Sequence, residues 1–527
     1  MNFVGEMYES EDELADFFDD NSGILEDHFE IESDTESEEE EEGDVLENEF
    51  YISKSKEKWY KKPQIIVGRR NRSNILDKSF SLTEISQRIA NIEDSFDIFI
   101  NQEMLMKVCD YTNKFAQTKN TNWNQLDIKE LKKTIGILIL LGVYQSKNES
   151  VKNLWDITHG RKVIRNAMKL NRFQNILRNL RFDDKAERGY GTLAPFEEMF
   201  ELFRRNMSKG IIPSENLTID EQLVTFFGRC SFKTFMPNNP GKYGIKIWIL
   251  CDVKTSYCLN QKIYLGKKTE NSTPEKNLSM NVALDLITSY NSDLKGRNIT
   301  TDSYFTSLDL SKELLKKDIT IVGTIDKKRV EVPPQFKTYK NKEIGETIWG
   351  YKDYIILMAY VPKKRKIVNI LSTIPFRDDP ARKKEEKPEI VKYYNHTKYG
   401  VDIIDKCVRS YTVKRKSNRW PLMLFFNCID VACYNAYIVY ITKNDQYYYG
   451  MKDRRRKYLT DLSNLLIGSN DQEGKQICET SSKKRKRCEY CKNNDIKTSY
   501  QCNICSKHIC LKNHSYVICK ACSESLK

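Results

Sequence analysis

The pattern of apolar and polar positions divides the chain into a helical part and a part in which strands and helices alternate. Between about residues 94 and 209, apolar residues recur at the spacing of amphipathic helices, as Phe173, Ile176 and Leu180 do. From about residue 217 the pattern changes to short apolar runs separated by turns. The order strand, strand, helix, strand, helix, strand over 217–325 predicts an α/β layered domain.

The clearest of these elements is the segment 242–253, which is almost continuously apolar and predicts a central strand covered on both faces. Ser307 is the expected N-cap of a helix that follows a short strand. The other predicted elements are a hairpin strand at 257–266, a helix at 279–290, strands at 297–301 and 319–325, a helix at 307–317, strands at 354–360 and 366–371, and helices from residue 401 and over 419–442.

Two apolar segments could be mistaken for membrane spans. Residues 135–144 are too few, because a bilayer needs about 20 apolar residues. Residues 423–441 are long enough, but they include Asn427, Asp430 and Asn435. Both segments are therefore predicted to be buried core helices. The first residues lack the basic and apolar regions of a secretory signal, so we expect an intracellular, soluble protein without a membrane partner.

The formal charge of +12 hides an uneven distribution along the chain. Residues 1–50 contain 22 Asp and Glu and no Lys or Arg, and they are predicted to form a disordered acidic tail. A linker of mixed charge is expected over 51–93. The remainder, 51–527, carries 86 basic against 52 acidic residues. That balance favours a polyanionic partner such as DNA, although on charge alone a solubilising surface is an equal alternative.

The helical region 94–216 combines apolar faces with many basic residues. A helix with one apolar and one basic face can pack on a core while it contacts a phosphate backbone, and a merely solvated face is the alternative. The candidate DNA-binding residues are Arg161, Lys162, Arg165, Lys169 and Arg172, together with Lys416 and Arg419 further along the chain.

Acidic residues end two of the predicted strands. Asp252 ends the strand within 242–253 and Asp302 follows the strand at 297–301, and ligands commonly bind at this edge of an α/β sheet. Asp402 and Asp405 begin a helix three residues apart, so both carboxylates share one face. Carboxylate oxygens suit magnesium, and two such ions can support phosphodiester chemistry. On these residues alone, ordinary turn-forming aspartates remain the alternative.

The last 40 residues hold seven of the 15 cysteines, an arrangement that indicates metal ligation rather than disulfides in a reducing compartment. Eight soft ligands in four pairs fit two tetrahedral Zn²⁺ ions. Interleaved pairing would give one ion Cys488, Cys491, Cys510 and His514, and the other Cys502, Cys505, Cys519 and Cys522. Sequential pairing stays open. The basic linker 471–487, with the run 483–487, reads as a nuclear localisation signal or a phosphate-binding arm.

Five segments resemble motifs of the piggyBac family of DNA transposases. They occur in the same order and at similar spacing, from about residue 95 to the C-terminus, which makes the resemblance far more specific than any one motif. The segments are 217–222 (LTIDEQ), 241–246 (GKYGIK), 298–307 (NITTDSYFTS), 394–405 (YNHTKYGVDIID) and 415–421 (RKSNRWP).

The resemblance implies an α/β fold with an RNase H-like catalytic core in two parts, 217–325 and 396–470. An insertion domain would occupy 326–395. The helical region 94–216 would form a DNA-binding and dimerisation domain, and 488–527 a cross-braced zinc domain that recognises transposon ends.

The implied catalytic acids are Asp252, Asp302 and Asp402, with Asp405 as a supporting fourth acid. Asp220 and Glu221 are interpreted as structural. The implied reaction is cut-and-paste transposition with Mg²⁺ or Mn²⁺, in which a homodimer cuts DNA at the terminal repeats and joins it to TTAA targets in the nucleus, with no small-molecule substrate. The alternatives are a domesticated DNA- or chromatin-binding relative without catalysis and, less favoured, a ubiquitin-ligase or histone-reader function of the zinc domain.

The zinc assignment predicts that Cys502→Ser releases zinc and weakens binding to terminal repeats, because a tetrahedral site loses one of its four ligands. Zinc content measured by mass spectrometry checks the prediction. An unchanged zinc content would argue against the ligand pairing given above.

Overall fold

The computed structural model describes residues 49–63, 80–237, 239–266, 277–290, 293–377, 379, 381–468, 486–487, 497–498 and 508. The chain divides into two compact units, Met1–Ser463 and Asn464–Lys527. The predicted acidic tail up to residue 48 and the eight predicted zinc ligands lie outside the described residues.

The first part of the large unit is helical, as the apolar spacing predicts. Asn101 caps the third helix by accepting a hydrogen bond from Met104 N, and Asp127 caps the fourth by accepting one from Glu130 N, at 3.0 and 2.7 Å. The helices are α1 (Glu84–Gln87), α2 (Ile92–Asp97), α3 (Gln102–Lys119), α4 (Ile128–Val143), α5 (Val151–Leu154), α6 (Lys162–Ala167), α7 (Leu170–Asn179) and α8 (Glu197–Met207).

In the described part of the chain, six further α-helices occur among or after the strands. Ser307 caps the second of these by accepting a hydrogen bond from Leu310 N at 3.1 Å, which confirms the predicted N-cap. These helices are α9 (Leu278–Thr288), α10 (Leu308–Leu315), α11 (Glu389–Thr397), α12 (Gly400–Ser410), α13 (Trp420–Lys443) and α14 (Arg454–Ile467).

Both segments that resembled membrane spans are buried helices. Helix α4 contains the first, and its residues from Leu131 to Val143 are mostly buried. Helix α13 is the one helix in the described part of the chain that is long and apolar enough to cross a bilayer, and its apolar window lies wholly inside the protein. The prediction of core helices is therefore confirmed.

Among the described residues, a mixed sheet of 11 strands forms the centre of the large unit. Its order is β1-β2-β11-β12-β13-β10-β9-β5-β7-β6, and β8 pairs with β7. A separate two-stranded sheet joins β3 and β4. The strands are β1 (Phe50–Ile52), β2 (Lys58–Tyr60), β3 (Ser81–Leu82), β4 (Ile211–Ile212), β5 (Asn216–Thr225), β6 (Thr234–Phe235), β7 (Tyr243–Asp252), β8 (Cys258–Ile263), β9 (Asn298–Thr301), β10 (Thr320–Thr324), β11 (Thr347–Lys352), β12 (Ile355–Lys363) and β13 (Lys366–Ser372).

Five central strands carry the layered α/β arrangement that the pattern predicts. Strand β7 runs antiparallel to both β5 and β8, whereas β9 runs parallel to β5 and to β10. Helices α12 and α13 pack against β5 on one side, and α8 and α9 pack against β8. This mixed sheet fits an RNase H-like core.

Two segments join the sheet in a way that the sequence did not indicate. The predicted insertion 326–395 supplies β11–β13, which continue the same sheet because β13 pairs antiparallel with β10. Residues 50–60, predicted to be a linker, form a hairpin that pairs with β11 through Tyr60 and Tyr351. Trp59 is fully buried there and its Nε1 donates to Glu331 O at 3.0 Å.

The smaller unit has only a few described residues. Strands β14 (Lys486–Arg487) and β15 (Lys497–Thr498) pair antiparallel and form a two-stranded sheet. The basic run 483–487 therefore ends in a strand.

Helix α13 carries polar residues although it is long and apolar, and their hydrogen bonds explain why. Asn435 is fully buried, and its side chain accepts from Cys258 N and donates to Cys258 O at 3.0 and 2.9 Å. It thereby satisfies both backbone groups of a residue in the edge strand β8. Buried backbone groups without partners are costly, so Asn435 is needed where it stands.

We predict that Asn435→Leu lowers the free energy of unfolding by about 2 to 4 kcal/mol, because it leaves the N–H and C=O of Cys258 without partners in the core. Chemical denaturation of the purified chain measures the change. Asn175→Leu, on an exposed position of α7, is the matched control and should shift stability by less than about 0.5 kcal/mol. Equal stability of the two variants would contradict this account.

Candidate active site

The parallel pairing of β5 and β9 brings two carboxylates together. Ile219 is the register partner of Thr301, so Asp220 and Asp302 stand next to each other one residue further along. Adjacent strands lie about 4.8 Å apart, and paired positions point to the same face. Both side chains are partly accessible to solvent. Asp220, interpreted from the sequence as structural, is therefore adjacent to a predicted catalytic acid.

Helix α12 adds a third carboxylate above this face. Its first residue, Gly400, lies so close to β5 that a Cβ atom there would be 2.6 Å from Thr218 Cγ2. The preceding turn is held to the sheet by hydrogen bonds from Thr300 Oγ1 to Thr397 Oγ1, 2.7 Å, and from Thr218 Oγ1 to Lys398 O, 3.3 Å. Asp402 follows two residues after Gly400 and is exposed.

The charges of Asp302 and Asp402 both act on Asp220. Burial raises the pKa of Asp220 well above its usual value, and the charges of Asp302, Asp402 and Glu221 raise it further. Burial raises the pKa of Asp302 to about 6, with Glu221 as the next contribution, while hydrogen bonds from Phe305 N and Tyr304 N oppose the shift. Asp220, Asp302 and Asp402 are called the carboxylate cluster below.

Glu221 and Lys398 lie beside the carboxylate cluster. Glu221 forms an ion pair with Lys246 at 2.9 Å. Burial lowers the pKa of Lys398, and the charges of Asp402 and Asp220 act in the opposite direction. The Lys398 ammonium lies 4.6 Å from the centre of the Tyr399 ring. Lys398 is thus a positive charge that acts on Asp402 and Asp220.

Asp252 is not part of the cluster, which corrects the sequence prediction. It pairs with Leu217, three residues from Asp220 along β5, and therefore points to the opposite face of the sheet. Its side chain is fully buried. Oδ1 accepts a hydrogen bond from Ser214 N at 2.7 Å, and Oδ2 accepts from Thr255 N and Oγ1 at 2.9 and 2.7 Å. Asp252 is a buried turn-former rather than a carboxylate open to an ion.

Asp405 lies in a hydrogen-bond network next to the carboxylate cluster. Its Oδ1 accepts from Gln222 Nε2 at 2.9 Å, and it forms an ion pair with Arg409. Gln222 Oε1 accepts from Asn427 Nδ2 at 3.1 Å, and Asn427 Oδ1 accepts from Lys414 Nζ at 3.0 Å. Burial raises the pKa of Asp405, and the charge of Arg409 opposes the shift. The network ties β5, α12 and α13 together within a few residues of Asp220 and Asp402.

A family profile described as transposase IS4 matches residues 93–437, well over half of the chain. The chain belongs to the IS4/piggyBac-type transposases. The resemblance read from the five motifs is thereby confirmed.

The transposase is similar to two human proteins. It is 22% identical over 390 residues to piggyBac transposable element-derived protein 3, covering 68% of this chain and 63% of that protein. It is 24% identical over 365 residues to piggyBac transposable element-derived protein 2, covering 65% and 60%. The chain thus spans less than two thirds of the length of these relatives.

A solved structure shares the fold of the transposase. The cryo-EM structure of a piggyBac transposase synaptic complex with hairpin DNA superposes with a TM-score of 0.68 at 28% sequence identity. The match covers 84% of this chain and all of that one. The architecture described above is therefore that of a known transposase fold.

Several basic residues predicted to contact DNA have partners inside the transposase. Arg161 forms two hydrogen bonds with Glu149, and Arg172 forms two with Glu130 and stacks on Trp123. Arg165 donates to Asp156 O. Arg419 donates to Leu177 O, Arg178 O and Leu180 O at the end of α7, and burial lowers its pKa to about 10. These contacts give the four arginines structural roles. The predicted residues that are exposed are Lys162, Lys169 and Lys416.

Metal sites can be judged only in the described part of the transposase. There, no three His, Cys, Asp or Glu side chains form a ready-made group for a metal ion. The carboxylate cluster nevertheless has a suitable donor chemistry: oxygen ligands from three elements, partly open to solvent, whose mutual repulsion a divalent cation would relieve. The predicted two-zinc site stays a prediction.

The role of Asp252 can be tested by Asp252→Asn. Whichever way the amide is turned, its NH₂ group faces a backbone N–H, of Ser214 or of Thr255, so one hydrogen bond is replaced by repulsion. We expect the free energy of unfolding to fall by roughly 2 to 4 kcal/mol. The affinity for Mn²⁺, measured by titration calorimetry on the folded variant, should stay within about twofold. A variant of normal stability that no longer binds Mn²⁺ would restore Asp252 to the metal site.

Proposed function

We propose that the chain is a metal-dependent DNA transposase that cleaves and rejoins DNA strands at Asp220, Asp302 and Asp402. The observation that carries the proposal is the convergence of three carboxylates from β5, β9 and α12 on one accessible face. Membership of the transposase family supports a nuclease and strand transferase as the class of enzyme.

These residues would hold Mg²⁺ or Mn²⁺. When bound, such ions activate an attacking oxygen and stabilise the leaving oxygen of a phosphodiester. The protein prepares the ligands. Hydrogen bonds from Tyr304 N and Phe305 N, at 3.1 and 3.3 Å, both end on Oδ1 of Asp302 and orient its carboxylate. Burial raises the pKa of Asp220 and the charges of Asp302 and Asp402 raise it further, so a divalent cation bound at the cluster would favour its ionised form.

The substrate proposed for this site is DNA. The similar solved structure is a complex with hairpin DNA, and residues 51–527 carry a strong excess of Lys and Arg. Exposed Lys162, Lys169 and Lys416 are the predicted basic residues best placed to meet phosphates, since their side chains reach solvent. Lys398 would supply a positive charge beside the reacting phosphate.

The finer parts of the proposal follow the family resemblance. They are a homodimer that holds two transposon ends, joining to TTAA targets, end recognition by a two-zinc domain at 488–527, and action in the nucleus.

A domesticated protein that binds DNA without cutting it is the alternative function. Its support is that the curated relatives are themselves named as derived from transposable elements.

The test is excision of a reporter that carries the element's flanking repeats, with Mg²⁺ and with a chelator. We expect Asp220→Asn, Asp302→Asn and Asp402→Asn each to reduce excision at least about 100-fold, because several kcal/mol of transition-state stabilisation are lost. End binding and folding should be preserved.

Asp309→Asn provides the matched control, because Asp309 is an exposed aspartate in the first turn of α10, close in sequence to Asp302. It should excise normally. Full excision by Asp220→Asn would overturn the assignment of the cluster. Absence of excision by the unmodified chain, with end binding intact, would favour the domesticated alternative.

A further inference from the structure

An aromatic patch lies at the edge of the sheet, away from the carboxylate cluster. Its members are Phe227, Phe235 and Tyr243, which expose 72%, 53% and 43% of their surface. Phe235 of β6 is the register partner of Tyr243 of β7, and their ring centres lie 4.8 Å apart. Phe226, the neighbour of Phe227, donates its N–H to Tyr243 O at 3.1 Å. Phe235 and Tyr243 thus reach solvent as adjacent rings, and Phe227 reaches solvent next to the residue that is bonded to Tyr243.

The backbone around the aromatic patch is closely held. Met236 N donates to Lys242 O at 2.7 Å and Lys242 N donates to Asn239 O at 2.8 Å, which closes the turn between β6 and β7. Lys242 adopts a positive φ of 50° in that turn. Gly244 lies so near β5 that a Cβ atom would be 2.4 Å from Val224 O. The rings are therefore presented by an ordered edge of the sheet.

The chain segment that carries the aromatic patch is basic. Residues 222–251 contain four Lys or Arg and no Asp or Glu. Arg229, Lys233 and Lys242 are exposed, and Lys233 Nζ lies 5.9 Å from the centre of the Tyr243 ring. Protein-binding patches are depleted of charge at their centre, whereas a uniformly basic and aromatic surface is complementary to nucleic acid.

The register relates the aromatic patch to the carboxylate cluster. Ile249 is the partner of Asp220, and Tyr243 precedes it by six residues on β7. Six residues of strand extend about 20 Å, and the alternation of side chains places Tyr243 and Asp220 on the same face. A DNA strand advances about 3.4 Å per nucleotide, so this distance corresponds to roughly six nucleotides.

We propose that Phe227, Phe235 and Tyr243 form a stacking platform for unpaired bases of the DNA strand that enters the carboxylate cluster. Base pairs within a duplex hide their faces, so only a frayed or single-stranded segment can stack on protein rings. The lysines and arginine contact the backbone of that segment, and the rings accept any base because every base has an aromatic face. The platform would thereby hold a strand open beside the site of cleavage. The position of the DNA at the carboxylate cluster rests on the proposed function, whereas the stacking of bases on the three rings does not depend on it.

The platform can be measured without knowledge of the transposon ends. The full chain is titrated against a fluorescent oligothymidylate of about 12 nucleotides and against a duplex of the same length. We expect Phe227→Leu, Phe235→Leu and Tyr243→Leu each to weaken binding of the single strand by about tenfold. Binding of the duplex should change by less than about twofold, since phosphate contacts dominate it.

Leucine keeps the apolar surface and removes the aromatic face, which separates stacking from hydrophobic docking. Tyr190→Leu, at a fully exposed aromatic residue outside the patch, is the control and should bind both oligonucleotides normally. Phe235→Trp should retain single-strand binding, because indole offers a larger stacking face. Wild-type single-strand affinity in the three leucine variants would overturn the proposal.

Light scattering tests the alternative that a second copy of the chain occupies the patch. A loss of self-association in Phe235→Ala, with single-strand binding unchanged, would identify a protein interface and refute the platform. The oligothymidylate titration separates this inference from the proposed function, because it involves no cleavage. A failure of excision to depend on Asp220 would leave that binding result intact.

Discussion

Electrostatic repulsion between neighbouring carboxylates is the constraint that the core of this protein must satisfy. Asp220 and Asp302 stand side by side on parallel strands, and Asp402 is held above them. Burial raises the pKa of Asp220, and the charges of Asp302 and Asp402 raise it further. The buried strands on either side and the close contact at Gly400 hold the three groups in place. A divalent cation would turn that repulsion into binding energy.

The same elements that supply the carboxylates also supply the network behind them. Two residues after Asp220, Gln222 points to the same face of β5 and binds Asp405, which is three residues after Asp402 on α12. Asn427 and Lys414 complete the hydrogen bonds of this buried group. A fully satisfied polar network in a core is rigid, since each member would be costly without its partner. The position of Asp402 relative to β5 is thus set by contacts on both sides of the sheet-helix interface.

The local pattern of apolar and polar residues was sufficient to predict much of the fold, because the periodicity of strands and helices depends on residues close together in the sequence. The strand at 243–252, the Ser307 cap and the buried helix at 420–443 all follow from spacing and capping chemistry. Strand pairing depends on distant residues, and here the sequence was less informative. The hairpin at 50–60 and the three strands of 326–395 were not expected to join the central sheet.

The error at Asp252 has the same origin. Both Asp252 and Asp302 end apolar strands, so they look equivalent in sequence. Strand β7 runs antiparallel to β5, however, while β9 runs parallel to it. Asp252 therefore pairs with Leu217, whereas Asp302 comes level with Asp220, three residues further along β5 and on the other face. Asp220 lies within a strand rather than at its end, so its position in the sequence does not mark it as a site residue. Its alignment with Asp302 could have been inferred only by pairing the segments 216–219 and 298–301.

The most direct test of the account is the location of a bound ion. Crystals of the full chain soaked in Mn²⁺, with anomalous scattering recorded, reveal the metal position independently of any activity. The account predicts manganese peaks among the carboxylates of Asp220, Asp302 and Asp402, with the side chain of Asp252 still bonded to Ser214 and Thr255. A manganese peak at Asp252, or a carboxylate cluster that stays without metal at saturating Mn²⁺, would contradict it.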